Sequence, residues 1–375
     1  MHIDAFSQFF SVIQDPRQSA KISYPLFDIL FLTVCATIAG MEGWEDIEDF
    51  GEAHLDWLQD KGLFRQGIPV HDTIARVVSS IEPDQFQDCF LKWMQAANVH
   101  SNGELIAIDG KVLRSSYNRE DRQSTLHMVS AFATANGVVM GQVKTQDKSN
   151  EITAIPELLK LLDIKGCLVS IDAMGCQTDI AKQIVEQQGG DYLLAVKGNQ
   201  ISLAKAVQKA LAPLLGKSPA CDIERRHGRI EAREYHVMSA QELTTDFPDW
   251  KGLQSVGVAI GYRIDSTGKE SLEYRYYISS AVLTPERFAD AVRGHWEIEN
   301  RLHWVLDVTM NEDACQIYRG NAAELLAGVR HMALNMLRLE TSKKASIRRK
   351  QKIAAMNIAY LEQVILAGIQ GLDKN

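Results

Sequence analysis

The 375-residue sequence contains few cysteines, and they are not arranged as metal ligands. Its six cysteines are scattered without a CxxC pair, and Cys35 and Cys167 lie within apolar runs. Structural zinc sites need closely spaced ligands, and disulfide frameworks are typical of short secreted chains. The sequence therefore argues against a zinc-binding domain and against a disulfide-stabilised fold.

The sequence also lacks an apolar run long enough to cross a membrane. The longest, residues 25–41, contains Asp28 and falls short of the roughly 20 apolar residues that span a bilayer, so it predicts a buried helix. The N-terminus has neither the basic start nor the cleavage site of a secretory signal. Internal repeats and low-complexity segments are absent as well. We expect a cytoplasmic protein with no membrane partner.

The composition is that of an ordinary globular protein, with 46% hydrophobic and 23% charged residues, enough for one large or two medium domains. The net charge of −8 argues against indiscriminate nucleic-acid binding. Two basic segments, residues 225–233 and 343–352, nevertheless concentrate positive charge that suits phosphates, although a solvated helix face explains the second equally well. In the first, the spacing of Arg225, Arg229 and Arg233 predicts one row on a strand or hairpin arm.

Three acidic residues stand where their carboxylates can meet. Asp109 ends the apolar run 105–108, and Asp172 ends the apolar run 167–171, so each is predicted at the end of a buried strand. Glu299 lies in HWEIENRLHWVLDV, a segment with helical spacing of apolar residues, one turn from His295 and from His303. In the same segment, Trp296 and Trp304 are expected to be core residues.

Two aspartates on strands and one glutamate on a helix form an oxygen-rich set that suits hard divalent cations. A pair of such ions activates a nucleophile and stabilises a leaving oxygen. Three alternatives stay open from the residues alone: merely solvated acids, a zinc or iron site on the His295–Glu299–His303 face, and a glycosidase carboxylate pair.

The first part of the chain, residues 1–97, is predicted to be helical. Asp72 is the expected cap of a helix through Val78, and Pro83 with Asp84 begins the next helix after a tight turn. This outline permits a helix-turn-helix that binds DNA, although most short helix pairs are only packing units. A polar break at 98–103 separates this region from the rest.

Residues 104–340 predict an α/β fold in the order β-β-β-α-β-α-β, followed by the helix that carries Glu299. This order matches a ribonuclease H-like core. Within it, a helix capped by Thr178 or Asp179 follows Asp172, and the pattern between about 200 and 284 predicts a β-rich insertion. A helical tail is expected at 341–375.

Four segments carry a resemblance to a known family. IAIDGKVLRSS around Asp109, KSNEITAIPELLKLLDIKGCLVSIDAMGCQTDIA around Asp172, GGDYLLAVKGNQ, and HWEIENRLHWVLDVTMNEDA around Glu299 are similar to the H-repeat-associated transposases. GWEDIEDFGEAHLDWL and GIPVHDTIARV resemble the associated domain of the same group. The resemblance covers nearly the whole chain.

The resemblance implies a DDE transposase of the insertion-sequence type, related to the IS4-like group, with Asp109, Asp172 and Glu299 as the catalytic and metal-binding triad. Glu299 is preferred to Glu297 because the family glutamate follows an aliphatic residue two places after Trp296. Two Mg²⁺ or Mn²⁺ ions are expected and no organic cofactor. The partners are element ends and target DNA, a homodimer on DNA is expected, and the DNA-bound protein would be associated with the nucleoid.

One departure concerns how DNA is held. The IS4-like group resembles Y-x2-R-x3-E-x6-K, whereas Val292, His295 and Leu306 stand at those places here. DNA contacts are therefore expected from other polar residues, namely Lys111, Lys197, Arg225, Arg229, Arg233, Arg293, His295, Asn300 and Arg301. Two rival functions also stay open: a nuclease that cuts without joining, and a catalytically silent or domesticated DNA-binding descendant of a transposase.

Overall fold

The computed structural model describes residues 2–97, 103–114, 116, 125–145, 151–216, 222–226 and 228–368. The predicted break at 98–103 is therefore described only at Gly103, and the last residues of the predicted tail, 369–375, also lie outside the described residues. None of the helices in the described part of the chain is long and apolar enough to cross a membrane.

The N-terminal region is helical, as predicted. Its helices are α1 His2–Phe10, α2 Leu26–Ile38, α3 Trp44–Ala53, α4 Leu55–Asp60, α5 His71–Val78 and α6 Pro83–Ala97. The apolar run that begins after Pro25 forms α2, in which every residue except Phe27 is buried. Because its surface is apolar on all sides, α2 can only be stable inside the core. The expected cap was wrong: Val70 precedes α5, and Asp72 lies within its first turn.

The centre of the molecule is one mixed sheet of nine strands. In chain order the strands are β1 Leu105–Leu113, β2 Leu126–Ala133, β3 Val138–Thr145, β4 Leu168–Ile171, β5 Asp191–Val196, β6 Asp222–Arg226, β7 Arg229–Ser239, β8 Ser255–Ile264 and β9 Glu270–Ser279. Their order across the sheet is β3-β2-β1-β4-β5-β9-β8-β7-β6. β2 and β3 form the predicted hairpin beside β1, and β4 and β5 run parallel to β1.

The connections between the parallel strands are helical. α7 Glu151–Lys160 leads from β3 to β4, and α8 Thr178–Lys182, which continues into a π turn at Gln183–Gln187, leads from β4 to β5. The predicted order β-β-β-α-β-α-β is confirmed. The predicted side-chain caps of α8 were wrong, because Gln177 precedes the helix and its side chain makes no capping bond.

The β-rich segment is joined directly to the core sheet. β9 pairs antiparallel with β5, and β8, β7 and β6 extend the sheet outward from there. The segment is not purely β, since α9 Ile201–Leu211 precedes its strands and packs on β8 and β9. The sequence does carry the signal for this helix, because Leu203, Ala204, Val207 and Leu211 are buried at helical spacing, but the expectation of a β-rich segment overlooked it.

The remaining elements are α10 Pro285–His295, a π turn Ile298–His303, α11 Trp304–Thr309, α12 Ala322–Leu339, α13 Ile347–Met356 and α14 Ile358–Ala367. The predicted apolar band of α12 is buried throughout, and α12 packs on α2, α6 and β3. The buried residues of α2, the sheet and α12 therefore belong to one continuous core.

Candidate active site

Two parallel neighbouring strands bring Asp109 and Asp172 together. In the pairing of β1 with β4, Ile108 lies opposite Ile171, so the next residue on each chain is an aspartate. The predicted position of Asp109 at a strand end was wrong, because β1 continues past it to Leu113 through pairing with β2, where Asp109 lies opposite Ser130. Asp172 is one residue beyond the end of β4, as predicted. The register of a parallel pair thus places two carboxylates side by side although 63 positions separate them in the chain.

The turn after β4 holds the carboxylate of Asp172. Its Oδ1 accepts hydrogen bonds from the backbone N–H groups of Met174, at 2.9 Å, and Gly175, at 3.4 Å. The next loop supports this turn, because Asn199 Nδ2 donates to the carbonyl oxygen of Ala173 at 2.7 Å. One oxygen of Asp172 is therefore fixed by the backbone, and the side chain has a defined orientation.

Glu299 approaches from a π turn, Ile298–His303, rather than from a regular α-helix. Four residues later, His303 is buried, and its Nδ1 lies 3.4 Å from Glu299 Oε2 and 3.6 Å from Asp109 Oδ2. Ligand atoms of Asp109, Glu299 and His303 all lie within 4.8 Å of one another. Short π segments are frequent at functional sites because they redirect side chains within a helix.

The pKa values of Asp109 and Glu299 depart from their usual ranges, in opposite directions. Burial raises the pKa of Asp109 to about 8, and the carboxylates of Glu299 and Asp172 add to the rise. The neighbouring imidazole of His303 instead holds the pKa of Glu299 below its usual range. Converging carboxylates in a half-buried site repel one another, and a divalent cation among them would remove that repulsion. The residues present therefore fit a metal site.

His295, one turn before Glu299, faces the strand and not the open side of the site. Its Nδ1 lies 3.0 Å from Ser170 Oγ of β4. Burial lowers the pKa of His295, although the charges of Asp172 and Glu299 oppose that shift. The two histidines that flank Glu299 therefore differ: His303 joins the carboxylates, and His295 packs behind them.

Lys111 lies two residues beyond Asp109 on β1, and its ammonium group forms ion pairs with two acids. It pairs with Asp307 of α11 and, at 2.6 Å, with Glu312 Oε2. Glu312 is buried, which opposes its ionisation, but the charges of Lys111, Arg330 and His331 hold its pKa below the usual range. Lys111 thus connects β1 to the segment that follows the Glu299 helix.

Arg301 and Arg338 hold the turn between β2 and β3 against the π turn. Arg301 donates to the carbonyl oxygen of Thr134 at 2.7 Å and pairs with Glu297 at 2.5 Å. Arg338 donates to the carbonyl oxygens of Gly137 and Arg301. Both guanidinium groups lie over the ring of Phe132, at 5.7 and 5.5 Å from its centroid. Glu297 is thereby directed away from Asp109, unlike Glu299.

The other candidate DNA contacts lie on different elements, Lys197 after β5, Arg293 on α10 and Asn300 in the π turn. Lys197 follows β5 and is exposed, Arg293 lies 5.5 Å from the ring centroid of Tyr235, and Asn300 Nδ2 donates to the carbonyl oxygen of Trp296 at 3.2 Å. Since β4 and β5 are parallel neighbours, Lys197 lies at the same sheet edge as Asp172.

The predicted single row of arginines was wrong. In the hairpin of β6 and β7, Arg225 lies opposite Ile230, and Arg233 lies opposite Asp222. Directly paired residues share a face, so Arg229 and Arg233 point to one side of the sheet and Arg225 to the other. In an uninterrupted strand the three arginines would share one face, but the turn between β6 and β7 places Arg225 on the opposite face.

The two tryptophans near Glu299 are not core residues, contrary to expectation. Trp296 is 43% exposed and Trp304 is 57% exposed. The buried face is formed by Ile298, Leu302 and Leu306, each fully buried. Arg275 of β9 lies over the Trp296 ring, 4.1 Å from its centroid. Trp296 precedes Ile298 by two residues and Trp304 follows Leu302 by two, so helical rotation places both tryptophans on the side away from the buried residues.

Two known family models match most of this chain. Residues 100–336 match the family described as Transposase DDE domain, and residues 7–94 match the family described as DDE_Tnp_1-associated. The chain belongs to the DDE transposase family. This confirms the resemblance read from the sequence, and the mixed sheet with its N-terminal helices is consistent with the expected DDE fold.

Individual relatives agree with the family assignment. The “H repeat-associated putative transposase YhhI” of Escherichia coli strain K12 is 51% identical, over 97% of this chain and 98% of that protein. The “Putative transposase YncI” of E. coli O157:H7 is 50% identical, over 97% and 95% of the two chains. Among solved structures, a piggyBac transposase synaptic complex with hairpin DNA aligns with a TM-score of 0.48 and 10% identity, over 96% of this chain and 80% of that one.

Proposed function

We propose that this DDE transposase cleaves DNA at the ends of its own element and joins the freed ends to target DNA. The observation that carries the proposal is the convergence of Asp109, Asp172 and Glu299 from two parallel strands and a π turn. Acidic residues close enough to raise the pKa of one of their number, as Glu299 and Asp172 do for Asp109, are typical of functional sites.

Asp109, Asp172 and Glu299 would hold two divalent cations, Mg²⁺ or Mn²⁺. When bound, these ions supply Lewis-acid activation of the attacking oxygen and stabilisation of the leaving oxygen. The charges of both other carboxylates act on Asp109 and raise its pKa. The backbone of Met174 and Gly175 orients Asp172, and the π turn orients Glu299. Water attacks a phosphodiester at the element end and breaks its P–O3′ bond, and the freed 3′-hydroxyl then attacks a phosphodiester of the target DNA and displaces that strand's 3′ oxygen.

DNA would lie along the sheet edge that carries Asp172. Lys197 and Asn300 are exposed, and we assign to them, with Arg293 and Arg229, contacts to phosphates that fix register without reading bases. Replacing Lys197 by alanine should weaken binding to all DNA sequences alike and reduce the salt dependence of binding by about one counterion. An unchanged salt slope for the Lys197→Ala variant would contradict this contact.

Transposition requires two element ends, so we propose that two copies of the chain act together on DNA. Mass photometry of the protein with and without end DNA measures the number of copies. A complex of two chains with two ends is expected. A single chain on each DNA molecule, under conditions where strand transfer occurs, would contradict the proposal.

The decisive experiment uses purified full-length protein and linear DNA carrying the sequences that flank its gene, with Mg²⁺, Mn²⁺ or EDTA. Cleavage at the element ends should require metal and be lost in the Asp172→Asn and Glu299→Gln variants. Glu297→Gln is the matched control, because it removes a carboxylate two residues from Glu299 that pairs with Arg301 instead. This variant should retain cleavage.

The same experiment separates the rival functions. Cleaved ends without joined products would identify a nuclease that cuts only. Retained binding to the ends without cleavage in either metal would identify a silent DNA-binding descendant, and the proposed activity would be wrong.

A further inference from the structure

His303 lies within the carboxylate cluster, although the triad of two aspartates and one glutamate does not include a histidine. Its side chain is 6% exposed, and its Nδ1 faces both Asp109 Oδ2, at 3.6 Å, and Glu299 Oε2, at 3.4 Å. These separations exceed a good hydrogen bond, which is about 2.7–3.2 Å for a nitrogen donor and an oxygen acceptor. The ring is therefore close to two carboxylates without being tightly bonded to either.

Such separations suit ligands of a shared ion. Metal–ligand bonds of about 2.0–2.2 Å place neighbouring ligand atoms of one ion roughly 3 Å apart, and opposite ones somewhat over 4 Å apart. The mutual separations of the three ligand atoms, from Asp109, Glu299 and His303, stay within 4.8 Å. A modest closure around an ion would make all three into ligands.

The helix itself favours this use of His303. Glu299 and His303 are four residues apart at the two ends of the π turn, so one backbone segment presents both side chains to β1. The other histidine of this segment, His295, is occupied with Ser170 of β4. The geometry thus distinguishes two histidines that are equivalent in sequence, each four residues from Glu299.

We infer that His303 is a ligand of one of the active-site ions, together with Asp109 and Glu299, and that this nitrogen ligand strengthens the preference of the site for Mn²⁺ over Mg²⁺. The inference rests on the proposed metal-dependent function and names the metal class of its site. Mg²⁺ is bound through oxygen ligands and retained waters, whereas Mn²⁺ is a first-row transition ion that takes carboxylates and accepts an imidazole more readily than Mg²⁺ does. An all-carboxylate site suits both ions, so its preference for Mn²⁺ should be smaller.

The test measures metal binding by the full-length protein without DNA, by calorimetry and by the electron paramagnetic resonance of Mn²⁺. The wild type should bind Mn²⁺ at least tenfold more tightly than Mg²⁺, and echo modulation from an imidazole nitrogen should appear in the Mn²⁺ signal. His303→Asn should lose the modulation and most of the preference. His303→Asp, which supplies an oxygen ligand, should still bind both ions but with a smaller preference for Mn²⁺ than the wild type.

His295→Asn is the matched control, because it removes the other histidine at the same distance in sequence from Glu299. It should keep both the nitrogen modulation and the Mn²⁺ preference. Thermal unfolding of each metal-free variant shows whether the chain is folded, and the His303→Asp variant keeps the test valid if His303→Asn is unstable.

The outcomes separate this inference from the proposed function. If wild-type Mn²⁺ shows no nitrogen modulation, or if His303→Asn keeps it, the inference about His303 is wrong, while metal-dependent cleavage can still stand. If Asp109→Asn and Glu299→Gln leave both the binding of Mn²⁺ and the cleavage of DNA unchanged, the proposed function is wrong as well.

Discussion

The ammonium group of Lys111 lies 2.6 Å from the buried carboxylate of Glu312, so the cation nearest in sequence to Asp109 is paired within the protein. This pairing links β1, which carries Asp109, to the segment that follows the Glu299 helix. The alternating pattern of β1 places Lys111 on the same face as Asp109, but the sequence does not reveal that two acids from the later segment meet it there.

Replacing Lys111 by methionine should destabilise the protein strongly, by about 3–5 kcal/mol, because it leaves Glu312 buried without its main counter-charge. Urea unfolding followed by circular dichroism measures the change. The double variant Lys111→Met with Glu312→Gln should recover part of the loss. Equal stability of the single and double variants would show that the pair does not act as a unit.

Asp109 makes the stability of the metal-free protein depend on pH. Its pKa in the folded chain is about 8, whereas an unfolded aspartate titrates near 3.9. Between these values the folded state binds more protons than the unfolded state, so its stability falls as pH rises from about 4 to about 8. The Asp109→Asn variant should therefore melt a few degrees higher than the wild type at pH 8, with a smaller difference at pH 5.

Thermal unfolding in EDTA at both pH values tests this dependence. Asp179→Asn serves as a control for removing a carboxylate from the first turn of a helix outside the cluster. A difference between Asp109→Asn and the wild type that does not grow with pH would contradict the raised pKa of Asp109.

β3 is the edge strand of the sheet, and the side chain of Asn335 bonds the backbone of Val139 as a neighbouring strand would. It is fully buried, its Oδ1 accepts from the N–H of Val139 at 2.8 Å, and its Nδ2 donates to the carbonyl oxygen of Val139 at 2.8 Å. Asn335→Leu should cost about 2–4 kcal/mol, because both backbone groups lose their partners in the core.

Asn335→Asp is the informative comparison, since it keeps an acceptor for the N–H group but loses the donor and buries a charge. It should be at least as destabilising as Asn335→Leu at neutral pH. Chemical unfolding measures both variants, and a leucine variant as stable as the wild type would show that the bonds to Val139 contribute little.

Gly137 closes the β2–β3 turn with φ of +69°, a conformation that favours glycine. A Cβ atom there would lie 2.3 Å from Arg301 Nη2. Gly137→Ala should therefore both strain the turn and displace the Arg301 guanidinium group from its contact with the β2–β3 turn. We expect a loss of about 2–3 kcal/mol in stability, and we also expect slower DNA cleavage.

Gly268→Ala is the matched control for this change. Gly268 also has a positive φ, +84°, but a Cβ atom there would have no neighbour within 4 Å. The control should show only the cost of the backbone, about 1 kcal/mol, with cleavage unchanged. If both variants lose stability and cleavage equally, the contact with Arg301 has no role in positioning Glu299.

Much of the fold and part of the candidate site could be predicted because they depend on local pattern. Short apolar runs that end in Asp109 and Asp172 predicted adjacent strands, and the apolar periodicity of α2 and α12 predicted buried helices. Motif similarity supplied the family. The prediction that Trp296 and Trp304 are core residues was wrong, because the buried face of this segment is formed by Ile298, Leu302 and Leu306 on the opposite side.

The sequence by itself determined the order of elements and the family and supplied the three acidic candidates, since each follows from residues close in the chain or from an extended motif. Only the tertiary structure decided which side chains meet. Strand register put Asp109 beside Asp172 and separated Arg225 from Arg229, and the π turn turned His303 towards the acids while His295 packed on Ser170. Contacts between distant segments depend on register and rotation, which a linear pattern does not specify.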